Sequence, residues 1–369
     1  MGIATTVPTP SIHLAEINAR APRPFPLDRW WVAGFSWELK DKPLARTLLS
    51  RSVVLYRTPD GGVAALEDRC CHKELPLSCG VIEARGLRCG YHGLLFNTEG
   101  KCIEVPGQER IPDRARVPSY PLRERDQILW IWIGSSPDSQ PASQPDCEPP
   151  AYPVHNDPRY KFGGDSFHYD APYQLIHDNL LDLSHLGYVH AKTIGGNPNL
   201  HMNAAVKVEG GGDHVLVVRL MPNSSPPPTY SAAWPFGTPG IDRWQEIDFK
   251  VSHVEIWTGA MDVGSGDLSD PKREGFHMRG FHGVTPETAT SAHYFWTIAT
   301  NPHPDKQDVT QLVVDQTAQT FEEDKVLIEN QWQNQCRFPV RAQIDIHVDA
   351  GPNRARRVIE RLMSGAVSK

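Results

Sequence analysis

Two short pairs of metal-binding residues constrain the fold of this chain more than any other feature. The first pair is Cys70 and His72, the second is Cys89 and His92, and residues 73–88 separate them. Each pair offers one thiolate and one imidazole within a few residues. If all four bind one inorganic centre, two tight loops must meet at one point, and the surrounding chain must fold around that point.

The donor types favour one kind of centre. A structural zinc site usually takes two thiolates from a single turn, whereas each turn here mixes sulfur and nitrogen. In a Rieske two-iron, two-sulfur cluster, two cysteines hold one iron and two histidines hold the other. A zinc site and two unrelated pairs are the alternatives, but the spacing predicts a Rieske cluster held by all four residues.

Composition limits the remaining possibilities. The chain has 369 residues, of which 39% are hydrophobic and 22% charged, as in a globular protein of two or three domains. A net charge of -7 without a long basic run argues against a nucleic-acid partner. The sequence has no apolar run of membrane-spanning length and no signal peptide, which predicts a cytoplasmic protein without membrane contact. The cysteines do not suggest a disulfide scaffold, and Cys71 and Cys79 are expected to be free, buried thiols.

Proline, glycine and short apolar runs divide the chain into four predicted segments. Residues 1–24 are proline-rich and are expected to form a flexible arm. Residues 25–135 contain strand-like runs separated by turns, which indicates an all-β domain carrying the cluster. Residues 136–153 are rich in Ser, Pro, Asp and Gln and are predicted to be a linker. Residues 154–369 combine strands with helices, so the predicted fold class is α+β. The helices are predicted at 173–188, 313–335 and 353–363.

A second group of metal-binding residues lies on the first predicted helix. One helix face carries Asp178, Asp182 and His185, with Asn179 beside them. His190 lies about 140° from His185 on an ideal helix, so the two imidazoles can meet only if the helix is bent, bulged or ended near Gly187. Two histidines and one carboxylate form the facial triad that binds non-heme iron(II). Taken alone, this spacing favours an exposed pair of histidines that binds no metal, and the predicted Rieske cluster upstream is what favours the iron site.

The carboxylate of such a triad must come from another segment. In the helix predicted at 313–335, Asp324 lies on the apolar stripe, whereas Glu322 and Glu323 are expected to face solvent. A buried carboxylate needs a cation nearby, and either a metal ion or a local arginine meets that need. The rival carboxylates are Asp315 and Glu329.

These motifs resemble those of the Rieske non-heme iron oxygenases. The match runs through the two cluster pairs, through Asn179-x2-Asp182-x2-His185-x4-His190, and through the late sequence Glu323-Asp324-Lys325. One departure is Cys71, where the family commonly has proline. Within the family, the chain is most similar to vanillate O-demethylase oxygenase components and dicamba-type monooxygenases. That similarity runs through residues 105–108, 242–244, 293–296 and 349–360.

The resemblance implies an architecture and a set of cofactors. It implies a Rieske iron-sulfur β-domain followed by an α+β helix-grip catalytic domain, assembled head to tail as a homotrimer. Each chain would carry one Rieske 2Fe-2S cluster and one non-heme Fe(II). The Fe(II) ligands would be His185, His190 and Asp324. Asp182 and Asn179 would be catalytic residues, with Asp182 linking His92 of one subunit to His185 of the next.

The resemblance also implies an activity. The chain would be the terminal oxygenase component of a multicomponent system that uses O2 to hydroxylate or O-demethylate a small aromatic compound. The alternatives are a cis-dihydroxylating dioxygenase and an electron carrier with a ligand-binding domain. The sequence contains no G-x-G-x-x-G motif and no plant-type ferredoxin pattern. Electrons would therefore come from a separate NAD(P)H-dependent flavin reductase, with or without a ferredoxin.

Offsets from the shared motifs predict three residues of the substrate pocket, which are Ile256, His282 and Asp315. In the dicamba-type enzymes, an amide and an indole hold a carboxylate at the places of Ile256 and Asp315, so the sequence does not itself predict an acidic substrate. His282 is either a hydrogen-bond donor to a substrate oxygen or a strand histidine satisfied within the protein.

Overall fold

The computed structural model describes residues 25–135 and 145–364 of the chain. The predicted arm at 1–24 and the first half of the predicted linker lie outside the described residues. Among the described residues, no helix is both long and apolar enough to cross a membrane.

The first domain is all β, as the sequence predicts. Within residues 25–135, three antiparallel sheets have the strand orders β1-β11-β10, β2-β3-β4-β9 and β5-β6-β7-β8. The strands are β1 (Arg29–Phe35), β2 (Leu44–Leu48), β3 (Arg51–Arg57), β4 (Val63–Glu67), β5 (Val81–Glu83), β6 (Gly86–Arg88), β7 (Leu95–Phe96), β8 (Cys102–Glu104), β9 (Ser119–Tyr120), β10 (Leu122–Arg125) and β11 (Ile128–Ile133). The loop with Cys70 and His72 lies between β4 and β5, and the loop with Cys89 and His92 lies between β6 and β7.

The second domain is built on one antiparallel sheet with the strand order β12-β18-β17-β16-β15-β14-β13. Its strands are β12 (Lys161–Tyr169), β13 (Ala205–Glu209), β14 (Val215–Ser224), β15 (Ile241–Phe249), β16 (His253–Asp262), β17 (Phe276–Pro286) and β18 (Ala292–Thr300). The helices are α1 (Tyr173–Leu181), α2 (Leu186–Val189), α3 (Pro198–Met202), α4 (Pro228–Ala233), α5 (Val309–Arg337) and α6 (Ala350–Met363). This arrangement confirms the predicted order of an all-β domain and a mixed catalytic domain.

Helix α5 packs along the sheet on β12 and β18. Its buried stripe includes Val313, Thr317, Phe321, Asp324 and Ile328. These positions recur every three or four residues, so they lie on one side of the helix. The stripe is therefore the wall that faces the sheet, and Asp324 is its one acidic member.

The two domains share a packed boundary. On β11, alternate residues such as Ile131 join the main core, while Trp130 packs with Phe281 of β17. The hydroxyl of Thr285 also donates a hydrogen bond to the carbonyl oxygen of Val32, at 2.7 Å. The first domain thus packs against strand β17 through Phe281 and Thr285.

The described part of the predicted linker is packed as well. The indole N–H of Trp30 donates to the carbonyl oxygen of Cys147 at 2.8 Å, and Tyr152 is buried against the domain boundary. The low apolar content that predicted a linker does not prevent a few anchoring contacts from holding residues 145–153 in place.

Candidate metal centres and the adjoining cavity

The two cluster loops have the same backbone design. In the first, the N–H of Cys70 donates to Leu75 O at 2.9 Å, and a second bond returns from Glu74 N–H to Cys70 O at 3.0 Å. In the second, Cys89 N–H donates to Leu94 O at 2.8 Å, and the N–H of the residue before Leu94 donates to Cys89 O at 3.1 Å. Each cysteine is therefore held at the mouth of a small closed loop.

The four predicted cluster residues lie together, with the sulfurs inside and the imidazoles outside. Cys70 and Cys89 are each 2% exposed, whereas His72 and His92 are exposed and their ring centroids lie 4.6 Å apart. In the chain without metal, burial raises the pKa of the Cys70 thiol to about 11. A thiolate there needs a bound cation, so the donor set fits a cluster of the Rieske type.

Two other cysteines of this region differ from their predicted state. Cys71 and Cys79 are free, as expected, but both are exposed instead of buried. The loop turns their side chains outward because the interior of the loop region is filled by the thiols of Cys70 and Cys89 and their apolar neighbours.

The segment with the second group of histidines is not one helix. Helix α1 ends at Leu181, and Asp182 has an extended backbone with φ -118° and ψ 96°. A 3-10 turn at Leu183–His185 and the short helix α2 follow. The predicted continuous helix at 173–188 is therefore wrong, and the break lies at Asp182 instead of near Gly187.

The break at Asp182 is stabilised by its own side chain. One carboxylate oxygen accepts from the backbone N–H of Ser184 at 2.8 Å, which caps the 3-10 turn. The freed backbone carbonyl of Asp182 lies 2.6 Å from Nδ1 of His185. That contact turns the other imidazole nitrogen, Nε2, toward the interior.

Three predicted ligands converge beyond this break. His185, His190 and Asp324 each bring one ligand atom, and these atoms lie within 4.8 Å of one another. Nε2 of His190 is 3.0 Å and Nε2 of His185 is 3.4 Å from the same carboxylate oxygen of Asp324. Asn179 donates a hydrogen bond to that oxygen at 2.9 Å.

The convergence fits a divalent metal ion with two imidazoles and one carboxylate. Nε2 of His185 is buried without a hydrogen-bond partner, which is costly unless a further group occupies the space before it. Burial raises the pKa of the Asp324 carboxyl, but the imidazoles of His185 and His190 outweigh burial and hold that pKa well below its usual range. The ionised carboxylate and two nitrogens are the ligands of a facial triad.

Glu323 belongs to this site, contrary to its predicted exposure to solvent. Its Oε2 atom lies 2.7 Å from Nδ1 of His190. Burial lowers the pKa of His190, but the hydrogen bonds with Asp324 and Glu323 outweigh that effect and raise it. Glu323 thus orients the imidazole from behind, as a carboxylate does in many histidine metal sites.

The two rival carboxylates point elsewhere. Asp315 is exposed and accepts a hydrogen bond from the side chain of Gln311 at 2.7 Å. Glu329 accepts from the backbone N–H of Asp170 at 2.9 Å. Asp315 lies about 180° around the helix from Asp324, so its predicted place in the substrate pocket is wrong.

The remaining residues of the first helix have different surroundings. Asp178 forms an ion pair with Arg356, whose Nε atom lies 2.9 Å from a carboxylate oxygen of Asp178. His177 is buried among aromatic rings, including that of Phe249. The Asp182 carboxylate contacts Ser184, and Arg219 lies 3.5 Å from it.

A cavity adjoins the candidate metal site between the sheet and helix α5. About 630 Å³ of space not filled by protein atoms lies here, including space open to solvent. Two of the predicted pocket residues, Ile256 and His282, line it, and Asp315 does not. Further lining residues include Leu183, Ile194, Tyr230, Met278, Gly280, Ile298, Thr317 and Phe321.

Two polar lining residues were not predicted as part of the site. Arg243 and Gln245 are alternate residues of β15, and both are almost fully buried at the cavity. Alternation along a strand places them on the same face. The sequence Asp242-Arg-Trp244 marked this strand as similar to the family, but nothing in it indicated which side chain faces the cavity.

The comparisons with known proteins agree with this geometry. Residues 29–121 match the Rieske [2Fe-2S] domain family, and residues 169–365 match the vanillate O-demethylase oxygenase C-terminal domain family. A putative toluene-4-sulfonate monooxygenase system iron-sulfur subunit from Comamonas testosteroni is 37% identical over 90% of this chain and 96% of its own length.

Two further proteins extend the same similarity. A vanillate O-demethylase oxygenase subunit from Pseudomonas sp. is 35% identical over 92% of this chain and 95% of its own length. A crystal structure of dicamba monooxygenase bound to dicamba superposes with a TM-score of 0.80 at 32% identity, covering 91% of this chain and 97% of that chain. The cluster loops, the converging triad and these matches together show that the chain belongs to the Rieske non-heme iron oxygenases, in the group of vanillate O-demethylase oxygenase subunits.

Proposed function

We propose that the chain is the terminal oxygenase component of a multicomponent system that monooxygenates a small aromatic compound, by O-demethylation or hydroxylation. The observation that carries this proposal is the position of His185, His190 and Asp324 at one side of a mostly apolar cavity. A Rieske electron carrier has no need of a second metal site beside a cavity. The full-length relatives are monooxygenase or O-demethylase subunits, which favours monooxygenation over cis-dihydroxylation.

In this proposal, His185, His190 and Asp324 hold an Fe(II) ion, which supplies dioxygen activation when bound. Glu323 and the Asp182 carbonyl orient the two imidazoles. Asn179 donates to Asp324 and fixes the rotamer of its carboxylate. The apolar lining holds an aromatic ring next to the metal side and excludes bulk water from it.

The overall reaction balances with two electrons and two protons. A methoxy compound, O2, two electrons and two protons give a hemiacetal and water, because one oxygen atom enters a methyl C–H bond and the other is reduced. The hemiacetal then breaks its C–O bond to release a phenol and formaldehyde. Hydroxylation of a methyl group without an ether oxygen would stop at the alcohol.

The electrons come, in this proposal, from a separate NAD(P)H-dependent reductase, with or without a ferredoxin. The exposed imidazoles of His72 and His92 give a partner access to the edge of the cluster. A cytoplasmic location is part of the proposal, since nicotinamide nucleotides and free thiols are found there.

A homotrimer is also part of the proposal. A surface groove beside the metal site is lined by Asp182, His185 and Ile344, and Ile344 is 87% exposed. A second copy of the chain could place its own His92 in this groove, next to the Asp182 carboxylate. Electrons would then pass from the cluster of one subunit to the metal of the next.

An oxygen-uptake screen tests the proposed activity. The iron-loaded protein, a surrogate reductase and NADH are combined with vanillate, dicamba or toluene-4-sulfonate, and formaldehyde and hydroxylated products are quantified. We expect at least one compound to give product in step with NADH oxidation, and the Asp324→Ala variant to give none. A product with two new hydroxyl groups from one O2 would favour the dioxygenase alternative, and reductase-dependent reduction of the cluster without any oxygen uptake would favour the carrier.

A further inference from the structure

His282 makes a single side-chain hydrogen bond that decides how its ring is protonated. Nδ1 of His282 lies 2.7 Å from the hydroxyl oxygen of Tyr294, and both residues are almost fully buried. Burial lowers the pKa of His282 to about 3, so the imidazole is neutral and carries one proton. That proton is on either Nδ1 or Nε2.

The surroundings of Tyr294 favour one of these two tautomers. Within residues 25–135 and 145–364, His282 is the only hydrogen-bond partner of the Tyr294 hydroxyl. If Nδ1 carried the proton, the hydroxyl would accept it and its own hydrogen would be buried without an acceptor, which is unfavourable. If the hydroxyl donates to Nδ1, both groups are satisfied and Nε2 carries the proton.

Nε2 of His282 lies over Gly280 in the cavity wall. A Cβ atom built on Gly280 would collide with Nε2, so the absence of a side chain at this residue leaves room for the imidazole edge. Gly280 pairs with Ile256 and Ile298 on the neighbouring strands, and all three line the cavity. The N–H of Nε2 is therefore at the cavity floor, between two apolar side chains.

Neighbouring rings hold the imidazole in this orientation. The Tyr294 ring stacks with that of His282 at 16° between planes, and the edge of Phe321 contacts both rings. Phe321 lies one helical turn before Asp324 on α5. Helix α5 therefore contacts the His282 ring through Phe321 and contributes Asp324 to the candidate metal site.

We infer that Tyr294 is a positioning residue for substrate: its hydroxyl fixes His282 as the Nε2–H tautomer, which donates a hydrogen bond to an acceptor oxygen on the bound aromatic compound in the cavity. This inference rests on the proposed function, since it assigns the bound compound to the same cavity. It adds a requirement for an acceptor group on the ring.

Binding of two matched probes tests the inference without turnover. The probes are 4-methylbenzoate and toluene, which share a ring and a methyl group and differ in the carboxylate acceptor. Their dissociation constants are measured by calorimetry on the iron-loaded protein under nitrogen. We expect the native protein to prefer 4-methylbenzoate, and Tyr294→Phe to weaken its binding about 5- to 10-fold while toluene binding is unchanged.

Two control variants separate positioning from a general structural effect. Tyr169→Phe removes a second buried hydroxyl whose ring contacts Tyr294 but which has no bond to His282, and we expect unchanged binding of both probes. His282→Gln keeps an N–H donor that does not depend on a tautomer. In that background, the Tyr294→Phe change should have little further effect on the preference.

Three results would overturn the inference. The first is equal binding of the two probes by the native protein, and the second is an unchanged preference in Tyr294→Phe. The third is an equal loss for both probes, which would indicate a damaged cavity. Because no step of this test needs turnover, a negative oxygen-uptake screen would not decide it, and a negative binding test would leave the oxygenase proposal standing.

Discussion

Glu323 and His190 form a carboxylate–imidazole pair on the outer side of the candidate metal site. Oε2 of Glu323 lies 2.7 Å from Nδ1 of His190, while Nε2 of the same ring lies 3.0 Å from Asp324. Adjacent residues of one helix therefore contact opposite edges of one imidazole. Such an arrangement fixes the ring and increases the basicity of the nitrogen that faces the metal.

Replacing Glu323 should weaken metal binding without removing a ligand. We expect Glu323→Gln to lower the affinity for Fe(II) about 10- to 100-fold, because the amide cannot support the imidazole with a negative charge. Competition with a chromogenic chelator measures this affinity. The neighbouring Glu322 is exposed, so Glu322→Gln is the control and should bind iron normally. Equal affinities for both variants would contradict the pairing.

Asp324→Ala should remove the mononuclear iron and leave the cluster. Only two neutral imidazoles would remain for a metal that is low in the affinity order, so the iron content should fall from about three to about two per chain, with the Rieske spectrum intact. Asp315→Ala should keep all of the iron and the substrate preference, because Asp315 is exposed and bonded to Gln311. Metal loss in Asp315→Ala would show that the helix register is wrong.

Cys89→Ser should abolish the cluster, because a thiolate is needed to hold its iron. The visible absorption and the paramagnetic signal of the reduced protein should both disappear, together with activity. Cys79→Ser is the control, since Cys79 is exposed and lies in the same region. A normal spectrum in Cys89→Ser would rule out Cys89 as a ligand.

Asp182→Asn tests the proposed link between subunits. The amide can still cap Ser184, so iron content and cluster reduction should be preserved. Reoxidation of the reduced cluster with substrate and O2 should slow about 10- to 100-fold, because the charged acceptor for the second subunit's imidazole is lost. Stopped-flow spectroscopy follows this step. Ser184→Ala weakens only the local cap, and an equal slowing in that variant would argue against a bridging role.

His177 should make the fold sensitive to acid. Burial lowers its pKa to about 3, and neither ring nitrogen has a hydrogen-bond partner. The unfolded chain binds this proton near pH 6.5, so the stability from neutral His177 is complete above that pH and is lost as pH falls. The loss is about 2 kcal/mol between pH 8 and pH 5.

Urea unfolding at both pH values measures the contribution of His177. We expect His177→Leu to be about as stable as the native protein at pH 8 and to show a smaller decrease at pH 5. The exposed His347 is the control, and His347→Leu should keep the native pH dependence. An unchanged pH dependence in His177→Leu would mean that the imidazole has the same pKa in the folded and the unfolded chain.

The sequence was most informative where chemistry depends on local spacing. Cys70 and Cys89 each sit in a loop of a few residues, so their neighbours along the chain determine the loop geometry. The register of helix α5 was also predictable, because Asp324 lies on a stripe of apolar residues. Both features depend on short-range periodicity, which a single sequence contains.

Features that depend on contacts between distant segments were missed. At the helix break, the carbonyl of Asp182 contacts the imidazole of His185. Helix propensity does not include the energy of such a contact, so it does not predict the break. Glu323 was expected to face solvent, but the imidazole of His190 reaches it from another segment. Offsets from the shared motifs predict Asp315 in the pocket, but the helix turns its side chain to solvent.

The packing of β17 against the first domain limits which first domains can be exchanged between related proteins. Gly283 lies on β17, and a Cβ atom at that residue would come within 2.8 Å of the Val32 side chain. The strand that presents Gly280 and His282 to the cavity therefore also packs against the first domain, which carries the cluster. A chimera that exchanges this domain between relatives must keep the pair formed by Val32 and Gly283, or the change will shift the cavity floor and alter substrate selectivity along with electron supply.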